Sequence, residues 1–205
     1  MPRTKKQFED RRQQIIDGAL EVFASKGFEK ATNKDIAKAA GIGSPGLIYH
    51  YFKDKWDLFQ QIVTERTPVI QLLQESESLM DQPPDQVLAH FARTILDTTT
   101  NPVTLSLVRL MLGEAMRRPQ LAQLVYNTVS SRVLSFIERY LAHQMERGTL
   151  RPVDPRAAAR TFMGPLLAYI FIHDLFQLSD PQDLSRETMA TTTVDIFLQG
   201  LQSEA

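Results

Sequence analysis

Residues Gly27 to Leu58 read GFEKATNKDIAKAAGIGSPGLIYHYFKDKWDL, the most informative segment of the chain. It carries two short helical patterns on either side of Gly41-Ile42-Gly43. Thr32 stands where a helix N-cap belongs, with Asp35 three residues on, the spacing at which side chains and backbone cap each other. Over 33–40, Ile36, Ala37 and Ala40 share one helix face and leave Lys34 and Lys38 on the other. Alanines at the contact let a second helix axis come close. Ser44-Pro45 opens a helix over 44–51, because proline is tolerated at the first helical position, where its missing N–H costs nothing. A 100° wheel turns Ile48, Phe52, Tyr51 and Ser44 inward and Gly46, Leu47, Tyr49 and His50 outward. Short helix, glycine-containing turn, short helix describes a helix-turn-helix.

Leu47 and Tyr49 on an outward face suit a helix lying in a DNA major groove better than a merely solvated one. Gly46 has no side chain, so its backbone can approach the groove wall. Leu47 and Pro45 can touch a thymine methyl, and His50 can reach a base edge or a phosphate. The Tyr49 hydroxyl suits a phosphate. Helix N-termini capped by Thr32 and Asp54 attract phosphate oxygens, and Ser44 caps the second short helix. Lys34, Lys38 and Lys55 add charge, while Arg3, Lys5 and Lys6 are expected to form a flexible arm following the minor groove. The competing reading makes Tyr49, Tyr51 and Trp56 core aromatics of a three-helix domain. It is the better reading for Tyr51 and Trp56.

Outward from this stretch, the chain has 205 residues, 43% hydrophobic and 23% charged, which excludes a disordered chain, a collagen-like repeat and a small disulfide scaffold. With no cysteine, thiol catalysis, thiolate metal sites and disulfides are excluded. The net charge of −1 hides a balance of +3 over residues 1–66 and −4 beyond, and all eight lysines lie at or before position 55. A basic N-terminal segment on an acidic body suggests that one end meets a polyanion. The longest apolar run, Phe162 to Ile172, is eleven residues and too short for a bilayer span of about 18. The N-terminus lacks the apolar stretch of a secretory signal. An intracellular, cytoplasmic protein is expected.

Periodicity predicts an all-α chain of about nine helices near 5–26, 33–40, 44–51, 54–80, 84–99, 102–117, 119–147, 155–178 and 183–202. Gly27 fits a C-cap, and Asn101-Pro102, Asp154-Pro155 and Asp180-Pro181 each pair a capping residue with proline. Thr67-Pro68 is expected to kink the helix 54–80. Residues 1–53 then form a helix-turn-helix domain with a basic arm, and 54–205 a helical body.

Ten positions of the stretch, Thr32, Ile36, Ala37, Ala40, Gly41, Gly46, Tyr49, Phe52, Lys55 and Leu58, stand in the order found in TetR-type (tetracycline-repressor-like) regulators, which the first 60 residues resemble. The segment Gly41 to Tyr49 is one residue longer than the commonest family spacing, as if Gly43 were inserted before Ser44. The resemblance implies a homodimer that binds a palindromic DNA operator and a small-molecule effector held by the C-terminal helices, with no cofactor. It also implies two spacings of the paired N-terminal domains, with the helix bent at Pro68 as a pivot.

The body supports the dimer in part. The helix carrying Phe162 to Ile172 is apolar on nearly every side, so it must be covered all round. Gly164 and Ala168 permit close packing, and with the helix bearing Met189, Val194, Ile196, Phe197 and Leu201 it can supply half of an intersubunit four-helix bundle. The rival reading makes it the central helix of its own domain. Candidate effector contacts are Phe91, Arg109, Met111, Glu114, Tyr126, Phe162, Tyr169 and His173, an aromatic, Met-containing set that leans toward a hydrophobic or aromatic ligand. Set against this, Glu114 can pair along its helix with Arg117 or Arg118, and aromatics at helical spacing are usually core. The four histidines, at 50, 90, 143 and 173, show no metal spacing, and neither a phosphate loop nor a nucleophile elbow occurs. The leading expectation is a ligand-responsive repressor and not an enzyme. The alternatives are a DNA-associated structural protein of the same fold without an effector, and a helical enzyme or carrier with an incidental helix-turn-helix.

Overall fold

The computed structural model describes residues 5–66, 73, 76–116, 119–178 and 184–202. Among them are ten α-helices, one 3-10 helix and two π-helical segments, and no strand. In chain order these are α1 (Lys5–Lys26), α2 (Asn33–Ala39), the 3-10 helix (Pro45–His50), α3 (Lys55–Arg66), the short α4 (Ser76–Leu79), α5 (Pro84–Asp97), α6 (Pro102–Ala115) and α7 (Pro119–Val125). A π segment (Tyr126–Ser130) leads into α8 (Ser131–Glu146); α9 (Pro155–Tyr169) runs into a second π segment (Ile170–Leu175), and α10 (Arg186–Gln199) follows. The expected kink at Thr67-Pro68 and the cap at Asp180-Pro181 lie outside the described residues. Among the described residues no helix is long and apolar enough to cross a membrane.

The chain divides into two compact units, residues 1–66 with 102–128, and residues 67–101 with 129–205. In the first, Ile15, Ile16, Ala19 and Phe23 of α1 pack with Ile36 and Ala37 of α2, Ile48 of the 3-10 helix, Phe52, and Leu58, Phe59, Ile62 and Val63 of α3. Phe28 is the aromatic hub, its ring centroid 5.3 Å from Phe23, 5.5 Å from Trp56 and 5.2 Å from Phe59. Gly18 explains how close α1 and α2 come. A Cβ on it would lie 2.5 Å from the Ala40 nitrogen and 2.8 Å from its Cα, inside van der Waals contact with immovable backbone. Arg12, lying over the Phe52 ring, donates to Gln61 and pairs with Glu65, while Arg66 pairs with Asp17, so polar clasps hold α3 along α1. The α6 helix joins this unit through its packing against α1, burying Leu107 and Met111.

The second unit is built on α5, α8, α9 and α10, with α10 against α5 and α9 against α8. Its centre is a stack of Phe91 on Phe136 at 4.9 Å, continued to Tyr140 at 6.1 Å, and the contact of Phe162 with Phe197 at 5.3 Å. Asp154 caps α9 as its proline pairing predicts, accepting from the Arg156 and Ala157 amides at 2.8 and 2.9 Å.

Candidate nucleic-acid interface and effector region

Thr32 and Asp35 form the expected reciprocal cap. The Asp35 amide donates to Thr32 Oγ1 at 3.1 Å, and the Thr32 amide and hydroxyl donate back to the Asp35 carboxylate. Lys26, 2.7 Å away, and the Thr32 donors hold that carboxylate down to a pKa of about 2. Gly41 turns the chain at φ +62°, a conformation open to glycine at little cost, and the Ile42 amide closes back onto the Ala37 carbonyl at 3.0 Å. Gly43 is exposed, and nothing lies within 4 Å of where its Cβ would be.

The second short element is a 3-10 helix and not the α-helix that the 100° wheel assumes. Ser44 accepts from the Gly46 amide at 3.2 Å, the Leu47 amide bonds the Ser44 carbonyl and the Tyr51 amide bonds the Ile48 carbonyl, both three residues back. Pro-Gly at its start lowers helix propensity, and a six-residue segment does not outlast the tighter winding. In this geometry positions three apart eclipse. Ile48 and Tyr51 form the inner ridge, Leu47 and His50 a second and Gly46 and Tyr49 a third. Ile48 and Phe52 are buried, Tyr51 and Leu47 half-buried, and Gly46, Tyr49 and His50 exposed. Tyr49 is 59% exposed, which puts it outside the core, and Tyr51 packs on Phe8 at 4.5 Å. Ser44, set inward by the wheel, is exposed, its hydroxyl employed as the cap.

Three features depart from the sequence reading. Lys5 and Lys6 stand in the first turn of α1 and not in an extended arm, because the helical pattern of α1 propagates to its basic end; Arg3 lies outside the described residues. The Lys55 ammonium reaches back across the Phe28 ring and donates to the carbonyls of Phe28, Glu29 and Ala31 at 2.8, 3.3 and 3.1 Å. Its three hydrogens serve the loop before α2. Asn33, which carried no signal in the sequence beyond its place after the cap, donates from Nδ2 to Tyr49 Oη at 2.6 Å. Lys34 is exposed.

The residues expected around an effector are divided between the two units. Arg109, Met111, Glu114 and Tyr126 belong to the first unit, with Met111 buried, Glu114 half-buried, and Arg109 and Tyr126 exposed. Arg117 and Arg118 lie outside the described residues. Phe91 and Phe162 are wholly enclosed in the core of the second unit. Tyr169 and His173 do come together, stacked at 4.3 Å, and line a surface cleft of about 520 Å³ with Asp174, Gln177, Leu184, Ser185 and Arg186. Beneath it Arg186 clasps Asp174 through two nitrogens at 2.7 and 3.0 Å and donates to the Leu96 carbonyl, and Thr99 donates to the same carboxylate. Burial pushes the Asp174 carboxyl up, but these donors outweigh it and hold the group below the ordinary carboxylate range. Local sequence patterns do not reveal this clasp, because the partners of Asp174 lie 75 and 12 residues away.

A capped short helix, a glycine turn and a second short element with an open outer face define a helix-turn-helix DNA-binding protein. The family model described as bacterial regulatory proteins, tetR family, matches residues 15–62, and that of the AefR-like transcriptional repressor C-terminal domain matches residues 86–200. The chain belongs to the TetR family of transcriptional regulators, proteins that bind DNA and are not enzymes. It is 26% identical over 199 residues to the regulator UidR of Escherichia coli K12, covering 94% of this chain and 89% of that protein. Among solved structures, a TetR-family regulator from Mesorhizobium loti superposes with a TM-score of 0.77 at 26% identity, over 98% of this chain and 100% of that one. The flavonoid-responsive regulator FrrA superposes with a TM-score of 0.68, also at 26% identity, over 96% of this chain and 100% of the other.

Proposed function

We propose that this regulator is a homodimeric repressor that leaves a palindromic operator when a small hydrophobic or aromatic effector binds. The observation that carries the DNA half is the exposed outer surface of the 3-10 helix, held from below by Ile48 and Phe52. The Leu47–His50 ridge reads base edges, with Pro45 and Ser44 at its start. Gly46 admits the backbone, and Tyr49, Thr32, Lys34, Lys5 and Lys6 face phosphates. Lys55 shapes this surface from behind. Pairing two such surfaces sets them about 34 Å apart, one helical turn of DNA.

The dimer rests on an uncovered apolar stripe. Gly164, Leu167, Ala168, Phe171 and Ile172 are exposed along α9 and its π extension, and Ile196 is 66% exposed on α10. For the effector, the Tyr169–His173 stack beside the 520 Å³ cleft offers a flat surface for an aromatic ring.

Footprinting on the intergenic DNA upstream of the protein's own coding sequence tests the reading. The expected result is one protected palindrome, lost on adding a flavone, the probe suggested by FrrA. Substituting His50 by Ala should change which bases in the site matter. Many scattered protected sites would support a chromosome-organising role instead, and no binding to any duplex at low salt would defeat the DNA reading.

A further inference from the structure

The pairing of Asn33 with Tyr49 joins the first residue of α2 to the exposed ridge of the 3-10 helix, sixteen positions along the chain. Tyr49 is 59% exposed, so packing does little to fix where its ring points. The ring is anchored at its far end, where the hydroxyl oxygen accepts from Asn33 Nδ2 at 2.6 Å. A phenol has one hydrogen to give. With its oxygen already accepting from the amide, that hydrogen is directed away from Asn33, toward whatever lies over the outer surface.

We infer that Asn33 is a positioning residue for DNA binding: it orients the Tyr49 hydroxyl so that the phenol donates to a backbone phosphate. This rests on the reading of Tyr49 as a phosphate contact. Asn33 is well placed for the task. It follows the cap without belonging to it, since Thr32 and Asp35 complete that exchange between themselves. Replacing it therefore leaves the start of α2 intact. The phosphate is the acceptor that the geometry calls for, because an anionic oxygen strengthens a hydroxyl donor relative to a neutral partner. Orientation in advance removes the cost of ordering the ring on contact.

A double-mutant cycle tests this on the full chain, with affinity for sonicated duplex DNA and for the upstream intergenic DNA as the readout and thermal melting as the control. Asn33→Ala should weaken both affinities about three- to tenfold, the scale of one hydrogen bond, with an unchanged melting temperature. Tyr49→Phe should do at least as much. In the Tyr49→Phe background Asn33→Ala should have no further effect, since the two act as one. Neither change should alter the salt slope, because neither removes a charge. Additive losses would mean that Asn33 touches DNA itself, and a neutral Asn33→Ala beside a damaging Tyr49→Phe would overturn the positioning role alone. A neutral Tyr49→Phe would remove the phosphate contact on which it rests, and a wild-type chain that ignores duplex DNA would end both.

Discussion

Gly18 shows how much one side chain can matter in this protein. In the interior of a helix glycine costs about 1 kcal/mol relative to alanine, a cost that only a close approach explains. Here the approach is to the backbone of Ala40, at the end of α2. Gly18→Ala should raise helix propensity and still destabilise the first unit by about 1–3 kcal/mol through overpacking, because backbone atoms cannot swing aside as a side chain would. Urea denaturation followed by circular dichroism checks the sign, and a stabilised variant would show that the two helices can separate freely. Lys55 teaches a related lesson. Its position marks it as a charge for DNA, yet its ammonium satisfies three carbonyls of the Phe28–Ala31 loop. A cation near an interface serves whichever acceptors it can reach, and those belong to the protein.

Among the elements, the 3-10 helix and the second π segment carry the most consequence. Winding this element three residues to the turn groups Leu47 with His50 and Gly46 with Tyr49 on two separate ridges. The π segment Ile170–Leu175 brings Asp174 under Arg186 and Thr99, tying the end of α5, the extension of α9 and the start of α10. Asp174 is 9% exposed, so removing its charge leaves Arg186 facing an uncompensated site. Asp174→Asn should cost about 3 kcal/mol at neutral pH. Because the carboxyl titrates below its ordinary value in the folded chain, its contribution is complete above the ordinary value and is lost as pH falls on through the lower, folded one. The gap between wild type and variant should therefore close below pH about 4, the range of a free carboxylate. Denaturation curves at neutral and acid pH measure it, and a gap that persists in acid would mean that the loss comes from packing.

At the level of the whole molecule, the exposed apolar side chains of the second unit bear on assembly. Phe171 and Phe176 sit 6.0 Å apart at the surface, and Ile196 is among the most exposed large apolar side chains described. Large exposed apolar patches mark interaction surfaces. On the proposed dimer, Phe171→Glu together with Ile196→Glu should halve the mass seen by sedimentation and abolish cooperative binding to the proposed palindrome, while circular dichroism stays helical. A variant that still sediments as a dimer would place the self-association surface elsewhere. The same surface shows why the eleven-residue apolar run is not an internal core helix alone: Phe162, Leu166 and Tyr169 face inward, and Leu167, Phe171 and Ile172 remain open.

The helical class, the helix-turn-helix and the capping at Thr32 and Asp154 were legible in the amino-acid order alone, because these depend on spacing of a few residues and on local hydrogen bonds. It also separated Ile48 and Phe52 from the outward Tyr49 and His50, since a buried ridge shows in either helical winding. The remaining features emerge only when the chain is folded. The 3-10 geometry, the diversion of Lys55, the Asn33–Tyr49 pairing and the Asp174–Arg186 clasp join residues 12 to 27 positions apart or turn on a small energetic difference between two helix types. Phe91 and Tyr169 look alike in a periodic pattern and both are buried, but only Tyr169 also borders a surface cleft. Periodicity tells which residues avoid water, while the partner that shields each of them is chosen when distant segments meet.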